Sequence, residues 1–401
     1  AQHPWFMEAR SLASPYHDWY IWSDYNPGYS GSWGQQVWFP LSGRYYYSTF
    51  SAGMPDLNYT NPEVTAEMQN AARFWLVEVG VDGFRLDAAK HIIEEGAVQA
   101  NSESTHEWWE NFRSFFKDVA PQALIVGEIW DTTESTAKYL EGDELDLAFE
   151  FYLANDIVLS VNEVNVEIAT ERLDAVEETI PGMQYAPFLT NHDQVRVMTL
   201  FLDNMDKARI AASLILTAPG VPFLYYGEEI GMQGEKPDEW IRRPMQWSDG
   251  AYGGFSTSSP WETLGPGWMS FNVEEESPDP GSLLSHYRNL IRARNEHAAL
   301  RVGELSIVDA YNDAIYSILR VSGEEAVLVI VNLGGETITD YVLNVEESRL
   351  AEGSYTLLPI LGEGAFRQLE VTPGGKFAFY IPMAEIPPYA TYILQLHQHT
   401  P

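Results

Sequence analysis

Short apolar strands alternate with amphipathic helices from residue 63 to 301, and from 302 onward the helical spacing stops and apolar residues recur at every second position. The first pattern predicts an α/β unit in which parallel strands are covered by helices, as a doubly wound sheet or a barrel. The second predicts a separate all-β module.

Residues 1–62 are irregular and rich in Trp, Tyr, Gly, Ser and Pro, as in a long excursion packed on a larger scaffold. Asn61-Pro62 then supplies an N-cap and a first-turn proline, and Val64, Met68, Ala71, Trp75 and Val79 recur at helical spacing until Gly80. The strand VDGFRLDA (81–88) follows, then a helix at 103–118, the strand ALIVGEI (123–129), a short helix at 132–140 and the strand LDLAFEF (145–151). Helical pattern occupies 164–179. Next come the strand APFLTN (186–191), a helix at 205–217, the strand VPFLYY (221–226) and, after a long loop, a helix at 282–298. In the last part the runs AIYSILRV (314–321), EAVLVIVNL (325–333), YTLLPIL (355–361), KFAFYI (376–381) and TYILQL (391–396) carry the alternation of strands.

With 401 residues the chain exceeds the size at which one core stops growing, so two or three structural units are expected. Asp and Glu number 58 against 23 Lys and Arg, a formal charge of −35, which argues against nucleic acid as a partner. The acidic residues are dispersed, which reads as a solvated acidic surface such as life in salt would favour. Without cysteine there is neither disulfide nor thiolate chemistry, and metal ligands must be oxygen or histidine. The longest apolar stretch, Ile210 to Tyr226, is broken by Pro219, Gly220 and Pro222 and predicts a buried helix and strand, not a membrane span. No signal peptide is visible, and the start of the chain is uninformative on that point. The 13 Trp and 22 Tyr exceed what packing usually requires, so some are expected to face a ligand.

Three of the strands end in carboxylates: Asp87, Glu128 and Asp193. Parallel strands of one barrel or sheet present their carboxyl ends on one face, so these side chains are expected to converge. Two carboxylates about 5 Å apart are what a retaining glycosidase needs, one to attack the anomeric carbon and one to protonate the leaving oxygen. Any one of them could instead serve a structural ion pair with a base such as Arg85 or Arg196, but three at strand ends are harder to explain so. Arg85, two residues before Asp87, points to the same side of its strand.

These stretches closely resemble glycoside hydrolase family 13, the α-amylase family. GVDGFRLDAAKH (80–91), GEIW (127–130) and FLTNHD (188–193) are similar to its motifs at strands four, five and seven. The resemblance implies Asp87 as nucleophile, Glu128 as general acid/base and Asp193 as the carboxylate that grips sugar hydroxyls and helps distort the ring, with Arg85 and His192 as companions at the cleaved bond. MPDLNY (54–59) is similar to a short motif of the inserted domain, in the form of members between oligo-1,6-glucosidases and neopullulanases. Asp238 and Arg242, in PDEWIRRPMQW (237–247), resemble the pair after strand eight that binds a glucose on the non-reducing side. Lys90 and His91 match a pair on the leaving-group side, with the His91 backbone carbonyl implied as a ligand of a calcium cofactor whose other ligands this sequence does not supply. Trp130, Tyr225 and Tyr226 stand beside the motifs and are candidates to stack on sugar faces.

By the same resemblance the fold is a (β/α)8 TIM barrel with strands four to eight in this chain: residues 1–62 an inserted domain B, 63–301 the second part of the barrel and 302–401 a C-terminal antiparallel β-sandwich. HPWFMEAR (3–10) matches the segment just after the family's strand-three motif, so an N-terminal segment supplying strands one to three is expected as a partner, joined or separate; five strands alone would leave long apolar edges. The expected activity is retaining hydrolysis of α-1,4-glucosidic bonds of starch and maltooligosaccharides, with transglycosylation as an accompaniment. An α-1,6-active oligosaccharide hydrolase, a cyclomaltodextrinase-like enzyme and a noncatalytic scaffold subunit stay open, although Asp87 and Glu128 together weigh against the scaffold. A secreted or extracellular location is expected, with the cytoplasm left open.

Overall fold

The computed structural model describes residues 1–399. The chain divides into two compact units, Ala1–Phe149 and Glu150–Pro401.

The first unit opens with the excursion the sequence predicts. Its segments are held by a small aromatic core of Phe6, Trp19, Tyr20 and Tyr46, against which Val64 of the following helix packs. Trp22–Ser23, Arg44–Tyr47 and Trp38–Leu41 pair as a small antiparallel sheet. The helix Pro62–Arg73 begins as expected, with the Asn61 side chain accepting from the Glu63 N–H. Its last turn, Phe74–Val79, is π-helical and stops at Gly80 in the left-handed region, φ 81°. The wider turn rotates the side chains, so Leu76 is buried while Trp75 and Val79, which share the predicted face with Val64, are exposed.

Strand Gly83–Leu86 then pairs in parallel with Leu124–Gly127, which pairs in parallel with Leu147–Phe149. The helix between the first two, Glu103–Val119, is capped by Ser102 and buries Trp108, Trp109, Phe112 and Phe116 on one face. Asp146 ties helix to strand: it accepts from Arg113 at 2.6 Å, from Lys117 at 2.7 Å and from the Ile125 N–H at 2.9 Å. Gly127 is glycine for want of room, since a Cβ there would strike the Leu145 side chain.

The second unit begins with a helix, Phe151–Glu163, whose first residue the sequence reading gives to the strand 145–151 and whose remainder it leaves without an element. A short apolar run cannot declare its period, and the Glu150 cap decides the matter in favour of helix. The predicted helix follows as Val166–Thr179. The predicted strand 186–191 is only Tyr185–Ala186, and 221–226 has no regular strand. Val221 N–H nonetheless donates to Tyr185 O and Phe223 N–H to Pro187 O, both at 2.9 Å. Pro187 and Pro222 carry no N–H, so this ladder has gaps. The helices Met205–Thr217 and Leu283–Glu296 lie where expected.

Among the described residues, six antiparallel strands form the sheet of the β-module in the order 369–371, 353–361, 391–398, 325–332, 315–322, 304–307. A second pair, Leu343–Val345 with Phe377–Tyr380, shares one hydrophobic core with it. The short strands 304–307, 343–345 and 369–371 escape sequence reading because three or four residues show no period. Buried Arg320 donates to the carbonyls of Gly303 and Thr217, fastening the module to the helical part of its own unit.

Candidate active site

Leu86 stands opposite Gly127 in the parallel pair, so the next residue of each strand is a carboxylate, Asp87 on one and Glu128 on the other. The ladder continues past them, with Glu128 N–H donating to Leu86 O at 2.9 Å and Ala89 N–H to Glu128 O at 3.1 Å. Neighbouring strands lie about 4.8 Å apart, so the two side chains leave adjacent backbones on one face, the arrangement from which a retaining glycosidase draws its nucleophile and acid/base. Arg85 joins the two: Nη1 donates to Asp87 Oδ1, and Nη2 to Glu128 Oε2 at 2.6 Å. Register and guanidinium together make a preorganised carboxylate pair.

The two carboxylates differ in setting. Glu128 is buried, at 8% exposure, and its Oε2 also accepts from the Ala88 N–H at 3.1 Å, whereas the Asp87 side chain is 74% exposed. Ala88 turns the chain in the left-handed region, φ 44° and ψ 42°, which costs an alanine about 1 kcal/mol and brings its N–H onto Glu128.

Lys90 and His91 stand in a supporting network. Lys90 Nζ donates to Trp130 O at 2.7 Å and to Asp131 Oδ2 at 2.9 Å; Asn101 also donates to Asp131, at 3.0 Å, and accepts from the Tyr139 hydroxyl at 2.9 Å. Burial would raise the Asp131 carboxyl, but the hydrogen bonds from Asn101, Lys90 and the Thr132 N–H prevail and hold it at about 2. His91 Nδ1 meets Gln99 O at 2.7 Å and its ring lies beside those of Trp33 and Phe50; burial pushes its pKa down, so the ring is neutral with Nδ1 as donor. Trp130 leaves its ring half exposed.

In the second unit Arg242 does for Asp193 and Asp238 what Arg85 does for its pair. Its Nη2 donates to Asp193 Oδ1 at 2.6 Å and to Asp238 Oδ2 at 2.9 Å, and its Nε to His192 O at 2.8 Å. His192 Nε2 lies 3.1 Å from Asp193 Oδ2. Asn191 accepts from the Asp193 N–H and fixes the turn. Lys236, beside Asp238, holds that carboxyl below its usual range, with Arg242 adding to the effect. Arg196 pairs with none of these: it is buried against the rings of Tyr225 and Tyr226, 4.4 and 4.7 Å from their centroids, and donates to the carbonyls of Ile241 and Tyr226.

The alpha-amylase catalytic-domain model matches residues 1–303. The chain belongs to the alpha-amylase family. It is 38% identical over 340 residues to alpha-amylase 3 of Dictyoglomus thermophilum, covering 83% of this chain and 65% of that protein. It is also 31% identical over 393 residues to a trehalose synthase of Thermus thermophilus, covering 84% and 40%. Among solved structures, an alpha-amylase from H. orenii superposes with a TM-score of 0.82 at 33% identity, over 99% of this chain and 78% of that one. The α/β fold with a C-terminal antiparallel module is therefore that of the alpha-amylase family. The chain spans less than two thirds of the length of these two curated relatives.

Members of this family often bind calcium, an ion that takes six to eight oxygens. The resemblance implies the His91 backbone carbonyl as one of them, and the rings of Trp33 and Phe50 lie beside the His91 side chain, which leaves the role of that oxygen unaffected. Among the described residues, side chains spaced for a metal are Glu110, Asp143 and Glu144. Of these Glu144 already faces His106 Nδ1 with both oxygens, at 2.9 and 3.1 Å, and the other two are exposed. No chemistry is routed through calcium.

Sequence reading did not find Asp131, which accepts from Lys90, nor Asn101 and Tyr139, which brace Asp131 in turn. It also passed over Trp247, Phe255 and Trp261, whose signal was the density of aromatics and glycines between 231 and 281.

Proposed function

We propose that the protein is a retaining α-glucan hydrolase acting on α-1,4-glucosidic bonds of starch and maltooligosaccharides. Asp87 attacks the anomeric carbon while Glu128 protonates the leaving oxygen; Glu128 then deprotonates the water that releases the glycosyl group from Asp87. Asp193, with Arg242 and His192, grips hydroxyls of the sugar being cleaved, and Asp238 binds the next sugar. Lys90 and His91 support the leaving-group side and the Trp130 ring stacks on sugar. The single observation that carries this reading is the in-register pair Asp87 and Glu128 on one arginine. The test is proton NMR of maltooligosaccharide cleavage by the full-length protein. An α-anomer as first product supports double displacement; a β-anomer, or no cleavage, overturns it.

The likeness to a trehalose synthase favours a second reading, glycosyl transfer in place of hydrolysis, in which a sugar hydroxyl instead of water attacks the Asp87 intermediate. Product analysis on maltose, starch, pullulan and cyclodextrin separates transfer, α-1,4 and α-1,6 action.

We further propose that a segment carrying three more strands pairs with the outer edge of Gly83–Leu86. The exposed Phe74, Trp75, Val77 and Val79 of the neighbouring helix support this. Residues 1–401 expressed alone are then expected to self-associate in sedimentation, and a cooperative monomer overturns the proposal. A secreted location fits a polysaccharide substrate and is checked by fractionating the producing cells.

A further inference from the structure

The long loop between Gly231 and Gly281 of the second unit builds a cleft of about 370 Å³ beginning at Arg242, the residue that holds Asp193. This lies within the range of about 300–1,000 Å³ typical of small-ligand sites. Its walls carry Tyr226, Trp247, Phe255 and Trp261, with the Glu229 carboxylate and the Arg243 guanidinium between them. All four aromatics are substantially exposed, Trp261 at 62%. Four exposed aromatics in one cleft are costly to leave in water and idle.

The cleft is built, not frayed. Trp247 N–H donates to Gly253 O at 2.8 Å, and Glu274 N–H donates to Trp247 O at 3.0 Å, so the backbone that presents the indole is held from both directions. The return of the loop needs Gly253 and Gly254, at φ 64° and 67°. The Tyr226 hydroxyl donates to Arg243 O at 2.7 Å and fixes the arginine backbone. Arg243 Nε is buried with no hydrogen-bond partner, a donor awaiting an acceptor. Holding side chains in place beforehand lowers the entropy cost of binding.

The chemistry of the lining selects the ligand class. Aromatic faces with fixed hydrogen-bonding groups suit a pyranose ring, apolar on its C–H faces and polar around its rim. An anion is disfavoured, because Asp193 and Asp238 already occupy Arg242, Glu229 adds negative charge, and the protein carries −35 overall.

We propose that this cleft is a glucan-binding subsite for sugars beyond those next to the cleaved bond, with Trp247 and Trp261 as stacking platforms and Arg243 as the donor to a hydroxyl. It rests on the α-glucan reading above and adds to it a determinant of chain-length preference.

The test uses the full-length Asp87→Asn protein, so that the sugar is not consumed, and calorimetric binding of maltotriose and maltoheptaose. Trp261→Ala and Trp247→Ala are each expected to weaken maltoheptaose about tenfold, the usual scale for removing an anchoring aromatic, and maltotriose by less than about twofold. Arg243→Lys, which keeps the charge but not the Nε donor, is expected to weaken the longer sugar about threefold to fivefold. Thermal melts identify any variant that has lost its fold; Trp261 serves as the primary probe because it is the most exposed of the four. Unchanged affinity for maltoheptaose in Trp261→Ala, equal loss for both sugars, or no binding of maltoheptaose by the parent overturns the proposal. Turnover is measured separately on the protein with Asp87 intact. A protein that cleaves no glucan but loses maltoheptaose binding with Trp261 defeats the hydrolase reading and leaves the subsite standing.

Discussion

Arg85 and Arg242 each hold two carboxylates, but on different supports. Arg85 stands on a parallel strand two residues before Asp87, and its second partner, Glu128, ends the neighbouring strand in register. Arg242 closes a four-residue helix, Asp238–Ile241, 49 positions along the chain from the Asp193 it holds. In the first case backbone pairing sets the geometry and the arginine completes it. In the second, side-chain hydrogen bonds set it, and Asp193 has a further partner in His192. A site on regular structure is thus stiff and dependent on one guanidinium, while a site on a loop shares its load among several groups.

The largest expected effect tests the strand-borne pair directly. Asp87→Asn and Glu128→Gln are each expected to lose kcat by about four orders of magnitude or more, with azide restoring turnover only to Asp87→Asn. Near-native hydrolysis by either would end the role assignment.

Next comes the contrast itself. Arg85→Lys replaces a fork by a point charge and cannot serve both oxygens, so kcat is expected to fall by about 10²–10³. Arg242→Lys leaves His192 beside Asp193 and is expected to cost about tenfold, chiefly in KM. Equal losses in both variants would show that the type of support does not matter.

A carboxylate without an arginine supplies the baseline. Glu94 Oε1 is buried with no hydrogen-bond partner, and burial, reinforced by the nearby Asp56 carboxylate, pushes its pKa up to about 8. Folded protein therefore holds a proton that the unfolded chain, titrating near 4.5, releases, so this group's contribution to stability falls as pH rises from about 4.5 to 8. Glu94→Gln is expected to flatten that slope and to add about 1–2 kcal/mol at pH 8, read from urea unfolding at pH 5 and pH 8. An unchanged slope would mean Glu94 titrates like an exposed acid.

The smallest effects belong to the surface. Asp238→Asn removes an exposed partner from Arg242 and Lys236 and is expected to change stability by less than about 0.5 kcal/mol. The charge of −35 predicts that the melting temperature rises in molar salt as repulsion is screened, and a maximum in low-salt buffer would contradict this.

The same contrast explains what the sequence disclosed. Asp87 and Glu128 were legible because a strand end is marked by a short apolar run, and register then places their backbones without further information. The Asn61 cap and the Glu103–Val119 helix were legible for the same local reason. Helix Phe151–Glu163 was not, because its apolar start continues that of the preceding strand. Nor was the π-helical turn at Phe74–Val79, which no propensity encodes. The Trp247 cleft was invisible because its walls meet through turns at Gly253 and Gly254 and hydrogen bonds to residues 271–274.

The chain of contacts from Lys90 through Asp131 and Asn101 to Tyr139 has an evolutionary consequence. Each member satisfies a group that another leaves in a water-poor place, so a change in one alone strands its neighbour at a cost of about 1–3 kcal/mol. Lineages that drift here must alter partners in concert or revert. In an alignment of relatives these four columns should therefore vary as a set, while exposed acids such as Glu363 drift independently.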